Sequence, residues 1–333
     1  MAKKTSTRST KGKVKQAKEE KRGVGKKKYK VRNWSDYNEE LKQRGSIEVW
    51  VEKGLAEVWY EDKPTGKPGS PKSYSDKAIV ATLQFGVVFH QKLRQTEGLV
   101  GSIFQAMGMD LDIPDYSTLS RRSNGLVVEL PKTSRERVVA IMDSTGLKVY
   151  GEGEWKVRQH GFSKHRTWRK FHISVTSDGE IRAIELTGND IADGAAVSDL
   201  LKQETATVDG LVGDGGYDKR PVYTLCQEKH ISDVRIPPQK NAKIWQHGNS
   251  NKPPHPRDEN LRKIRTTSRK RWKEQVSYHV RSISENIFFR FKTIFGDRLN
   301  ARLFPQQSTE VAIKARVLNI MWKLGMPESY VVG

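Results

Sequence analysis

Arg137-Val-Val-Ala-Ile-Met-Asp143-Ser-Thr-Gly146 is where the texture of the chain changes. Val138 to Met142 is a near-continuous apolar run, as a buried strand requires, and Asp143-Ser-Thr-Gly146 reads as the turn that stops it. Downstream, Lys170 to Thr176 alternates, Ser177-Asp-Gly179 reads as a hairpin turn, and Ile181 to Leu186 alternates back. Helix and strand then follow each other: helix from Asp193 to Gln203, strand from Gly210 to Asp214, helix from Asp218 to Lys229, strand from Asp233 to Ile236. Lys273 to Gly296 reads as one long amphipathic helix and Ser308 to Leu324 as a closing helix. The pattern predicts an α/β domain with a mixed sheet.

Upstream, the signals are helical. Ser75 is a good N-cap for a buried helix reaching Val88, and Leu93 to Met107 has helical spacing. A third helix begins near Tyr116, with Ser117 as its cap and Arg121 and Arg122 one turn in. Helix, short turn, then an Arg-bearing helix is the outline of a helix-turn-helix, which makes Arg121 and Arg122 candidate DNA contacts. The Lys63–Lys72 stretch is rich in Pro and Gly and reads as loop; it lacks the spacing of a phosphate-binding loop.

The 333 residues carry 60 Lys+Arg against 39 Asp+Glu, a formal charge of +21, which points to a polyanion partner. Fourteen of the basic residues lie in residues 1–33 against two acids, so that segment is expected to be a disordered basic tail. A second cluster, nine basic residues between Lys252 and Lys273, includes Arg262, Lys263, Arg265, Arg269, Lys270 and Arg271, all candidate DNA contacts. The single cysteine, Cys226, excludes a disulfide framework and a cysteine-based zinc cluster. With neither an apolar membrane span nor an apolar signal core, the chain is expected to be soluble, cytoplasmic and nucleoid-associated. The expected organisation is a tail over 1–33, a helix-turn-helix DNA-binding region over 34–130, and a catalytic domain over 131–333 with a basic insertion at about 238–272.

Asp143 and Asp214 each follow an apolar strand run and precede small residues, the place where carboxylates project into the crevice of an open α/β sheet. In the long helical stretch, Tyr278, Arg281, Glu285 and Lys292 sit at offsets that an α-helix maps onto one polar stripe about 60° wide. Three carboxylates suit two hard divalent cations acting on a phosphodiester, with Asp143, Asp214 and Glu285 as ligands. Arg281 can fork onto a phosphate, Lys292 can reach the backbone further along, and Tyr278 can donate a hydrogen bond or stack on a base.

Tyr278, Arg281, Glu285 and Lys292 match without a gap the Y-x₂-R-x₃-E-x₆-K signature of the DDE transposases of bacterial insertion sequences. Met142-Asp-Ser-Thr-Gly146 and Gly213-Asp-Gly-Gly-Tyr-Asp218 resemble the settings of that family's first and second catalytic aspartates. The likeness is greatest to the insertion-sequence-five group and runs from about residue 31 to the end. It implies an RNase H-like (retroviral-integrase-like) catalytic domain after a helix-turn-helix region. It also implies recognition of terminal inverted repeats in double-stranded DNA, Mg²⁺- or Mn²⁺-dependent cleavage followed by strand transfer to target DNA, and a homo-oligomer in a synaptic complex. Two rivals stay open: a non-enzymatic DNA-binding repressor with its acids as turn caps, and a host-adopted RNase H-fold nuclease that is no longer mobile.

Overall fold

The computed structural model describes residues 28–61, 73–149, 168–246 and 254–332. Most of the basic tail and the Lys63–Lys72 loop reading fall outside the described residues. In chain order the elements begin with β1 (Lys28–Val31), α1 (Trp34–Gln43), α2 (Asp76–Val88), α3 (Leu93–Ala106) and α4 (Tyr116–Arg122). They continue with β2 (Arg137–Val149), β3 (Trp168–Val175), β4 (Ile181–Gly188), α5 (Val197–Lys202), β5 (Thr207–Val212), α6 (Arg220–Glu228) and β6 (Asp233–Arg235). The chain closes with α7 (Pro256–Thr266), α8 (Arg269–Gln275), α9 (Ser282–Phe295), β7 (Arg298–Leu299), α10 (Phe304–Leu324) and β8 (Ser329–Val332). Two compact units result among the described residues: one within Ser46–Lys323, and a small one that joins residues 28–45 with residues 324–332.

The larger unit is built on a mixed sheet of order β4-β3-β2-β5-β6, with β7 pairing the far end of β2. β4, β3 and β2 are antiparallel; β5 runs parallel to β2, and β6 parallel to β5. Period-two alternation sends Ile141, Phe171 and Ile173 into one core with Phe288 and Phe291 of α9 and Val311 and Leu318 of α10. Ala140 and Met142 point the other way, against Val197 and Leu200 of α5 and Val222 of α6. Helices cover both faces of the sheet, the RNase H-like arrangement that the resemblance implies.

The boundary expected near residue 130 is not where the chain divides into units. Ala78, Phe85, Val100 and Phe104 from α2 and α3 share one core with Phe171 and Val311, and Leu119 of α4 packs with Ile313 of α10. A helical pair this small covers its apolar faces by borrowing the neighbouring core.

Four local expectations change. β2 does not stop at Asp143 but runs on to Val149, because β3 stays paired with it from Ile141 to Lys148. The cap of α4 is Asp115, not Ser117: its carboxylate accepts from the hydroxyls of Ser117 and Thr118 and from the backbone N–H of both, which holds it well below the usual carboxylate range. Residues 28–31, read as tail, form a strand. The expected helix from Lys273 to Gly296 is interrupted: α8 ends at Gln275, Ser277 takes a left-handed φ of 51°, and a single 3₁₀ turn, Tyr278–Arg281, leads into α9. Ser75 does cap α2, accepting from Ala78 N–H at 3.1 Å.

Candidate active site

The parallel pairing of β2 with β5 ends at Ile141 opposite Val212. Asp143 and Asp214 each lie two residues beyond that last pair, so the sheet itself brings the two acids to one end. Asp143 is largely buried, its side chain 13% exposed. It accepts hydrogen bonds from Ser144 N–H, Ser284 Oγ and Arg281 Nη1, each at 2.9 Å. Burial raises its pKa, with the charge of Asp214 adding to the effect, and these three donors oppose the shift without cancelling it. Asp214 caps the 3₁₀ turn Gly215–Tyr217, accepting from Gly216 N–H at 2.7 Å. A side chain at Gly216 would put its Cβ 2.9 Å from Asp214 Oδ1 and 3.2 Å from Asp193 Oδ2, so glycine lets this turn lie between two carboxylates.

The third acid arrives on α9. Glu285 sits in its first turn, 57% exposed, and is bound to Arg281. The Arg281 guanidinium therefore bridges Asp143 and Glu285, standing as a positive charge between the first and third acids. One strand period after Asp143, Thr145 Oγ1 accepts from Lys292 Nζ at 2.6 Å. Arg281 of the 3₁₀ turn and Glu285 and Lys292 of α9 thus share the side that faces β2.

Tyr278 departs from that expectation. It is buried, donates its hydroxyl to the Gly213 carbonyl at 3.2 Å, and packs against Trp272 with Lys273 over its ring. Burial pushes its phenol up to about 12. Its place is under the strand end that carries Asp214, not on an open DNA surface.

Other DNA candidates also have structural partners. Arg122 ties α4 to α2 through the Tyr74 carbonyl (2.8 Å) and Asp76 (2.6 Å), whereas Arg121 is exposed and bonds only locally to Thr118. Arg265 and Arg269 donate to the carbonyls of Ala242 and Pro238, and Arg262 pairs with Glu259. Lys263, Lys270 and Arg271 are exposed.

Sequence reasoning missed the opposite face of β2. Ser144 Oγ donates to Asp193 Oδ1 at 2.9 Å, and Lys170 Nζ reaches the same oxygen at 3.3 Å. Tyr217 lies beneath, its phenol pushed well up by burial first and then by the charges of Asp143, Asp193 and Asp214. The available signal was the period of two: a strand that turns Asp143 to one face turns Ser144 to the other.

Models of the transposase DDE domain match the chain over residues 42–152 and over residues 134–320. The second match covers more than half of the chain and contains all three acids. The chain belongs to the DDE transposase family.

Such domains generally use divalent metals and imply polynucleotidyl transfer. In this transposase the donors suit hard cations, being carboxylate oxygens carried to one place by β2, β5 and α9. Among the described residues, no three acidic, His or Cys side chains form a ready-made cage, and Arg281 stands between two of the acids. Arg281→Gln is therefore expected to tighten Mn²⁺ binding about tenfold, ~1.4 kcal/mol. Calorimetric titration without DNA checks this; unchanged or weaker binding would show that the guanidinium does not compete. Among the described residues no helix is long and apolar enough to cross a membrane.

Proposed function

We propose that this transposase binds the terminal inverted repeats of a mobile element, hydrolyses the phosphodiester at its ends, and joins the freed 3′-hydroxyl to target DNA. The observation that carries this reading is the meeting of Asp143 and Asp214 at the end of the β2–β5 pair, with Glu285 linked to Asp143 through Arg281. Asp143, Asp214 and Glu285 would hold two Mg²⁺ or Mn²⁺ ions, which when bound supply an activated nucleophile and charge stabilisation at the leaving oxygen. Arg281 and Lys292, now bonded to site residues, are long enough to turn to DNA phosphates once the acids have other cationic partners. Tyr278 contributes by fixing the backbone just before Asp214. Lys263, Lys270 and Arg271 extend the grip on the backbone, and a homo-oligomer assembles the two element ends.

Supercoiled DNA bearing the element's ends, incubated with Mg²⁺ or with EDTA, tests the reading. Nicking is expected only with the metal, and Glu285→Gln is expected to lose about a thousandfold in rate, or roughly 4 kcal/mol of barrier lowering. Metal-independent nicking, or an unaffected variant, would overturn the assignment.

A further inference from the structure

In the small unit, the first described residues and the last are paired. β1 and β8 form an antiparallel two-stranded sheet, with Lys28 opposite Val332, Tyr29 opposite Val331, Lys30 opposite Tyr330 and Val31 opposite Ser329. Just beyond the register, Arg32 N–H donates to the Glu328 carbonyl at 2.7 Å. Asn33 closes the end of the ribbon: its side chain accepts from Glu328 N–H at 2.8 Å and donates to the Met326 carbonyl at 3.1 Å. The ribbon is thus fixed at its base, yet its side chains are open to water, with Tyr29 64% and Tyr330 42% exposed.

Strand alternation sorts the side chains. Lys28, Lys30 and Arg32 share one face, successive members about 7 Å apart, with Tyr330 beside them and the Arg32 guanidinium 5.9 Å from its ring centre. Neither strand contains an acidic residue; one acid, the exposed Glu328, stands opposite Arg32 at the base of the ribbon, so the face keeps a net positive charge. Immediately upstream in the sequence, residues 1–27 hold eleven further Lys and Arg against two Glu. Two bare strands are marginal in water by themselves, and a row of three cations beside an aromatic ring is matched by a polyanion with regular charge spacing.

We propose that the Lys28/Lys30/Arg32 face of this ribbon is a second DNA contact of the protein, seated on the phosphate backbone of a duplex and separate from the acid site. The inference rests on the reading of the protein as one that works on DNA. Contacts of this kind fix position without reading sequence, so they strengthen binding to any duplex. Tyr330 supports the face by stacking under Arg32 and limiting its swing.

The test uses the full chain and fluorescence anisotropy on two duplexes of equal length, one bearing an element end and one scrambled, across a KCl series. Lys28→Gln/Lys30→Gln/Arg32→Gln is expected to weaken both by a similar factor and to lower the slope of log K against log[KCl] by about 2 to 3, near 0.9 for each phosphate no longer neutralised. Thermal unfolding should not move, because these side chains are exposed. Lys28→Arg/Lys30→Arg/Arg32→Lys, which keeps the charge, should retain the slope. An unchanged slope overturns the proposal. So does a changed sedimentation coefficient with unchanged DNA binding, which would assign the ribbon to a second copy of the chain. A wild-type protein without salt-dependent DNA binding would instead undo the transposase reading itself.

Discussion

Asp143→Asn is expected to abolish strand cleavage while leaving the protein as stable at neutral pH as the wild type, or more so. The two halves of this result have one cause. The Asp143 carboxyl is held mostly out of water, and burial raises its pKa above the usual 3.8 despite the donors at Ser284, Ser144 and Arg281. A carboxyl whose folded pKa lies above its unfolded one supports folding at acid pH, and that support is lost as pH rises through the folded pKa. At pH 7 the ionised Asp143 therefore opposes folding, and its retention marks a chemical need for the charge. Asparagine removes the charge and keeps one acceptor oxygen for Arg281 and Ser284, at the loss of the bond from Ser144 N–H, which then faces the amide NH2. Cleavage should fall by about a thousandfold or more, since a neutral amide cannot replace a carboxylate in balancing divalent charge. Melting curves of both proteins from pH 4 to pH 8 should diverge in favour of the variant as pH rises. A variant that melts well below the wild type at pH 7 would show that Asp143 is structural, and a variant that still cleaves would show that it is not catalytic.

The parts of the site legible in the sequence are those governed by local periodicity. Apolar runs before Asp143 and Asp214 marked the two strands, although β2 runs on past Asp143, and the end of their parallel pairing is what brings the two acids together. Helical spacing placed Glu285 and Lys292 on one side of α9, and both side chains are found toward β2 with Arg281. Spacing failed at Tyr278 because an offset consistent with a helix does not prove that the helix is continuous. The left-handed turn at Ser277 drops the phenol into the core, where the Gly213 carbonyl accepts from it. Composition counts every guanidinium alike, whereas Arg122, Arg265 and Arg269 also donate to the backbone carbonyls of Tyr74, Ala242 and Pro238. The β1–β8 ribbon was out of reach for a different reason: its strands lie about 300 residues apart, and four-residue strands at the edge of a polar segment carry almost no pattern of their own.

Arg257→Gln is expected to be among the most destabilising single changes in the protein. Arg257 is a member of the basic cluster, but its side chain is only 5% exposed and enclosed by acids. It donates to Asp218, 2% exposed, through Nε at 2.6 Å and Nη2 at 3.2 Å. It also approaches the fully buried Asp258 at 3.4 Å, donates to the Lys243 carbonyl at 2.8 Å, and lies 3.9 Å from the centre of the Trp245 ring. Asp258 in turn accepts from the backbone N–H of Trp245 and Gln246. This cluster fastens α7 to the segment that follows Asp214, because Asp218 closes the Gly215–Tyr217 turn. Removing the guanidinium leaves two buried carboxylates without their cation, a change that costs about 3 to 5 kcal/mol. Lysine should rescue little, since a point charge cannot serve two carboxylates and stack on an indole at once. Asp218→Asn alone should also destabilise, and Asp218→Asn with Arg257→Gln should cost clearly less than the two single changes summed, because one buried charge no longer waits for the other. Denaturant unfolding of the four proteins measures that coupling. Additive losses, or an Arg257→Gln protein within about 1 kcal/mol of wild type, would mean that the cluster does not fasten the insertion. In the expected case, cleavage by Arg257→Gln at a temperature where it remains folded should fall as well, through a loosened turn at Asp214 and not through any contact of Arg257 with DNA.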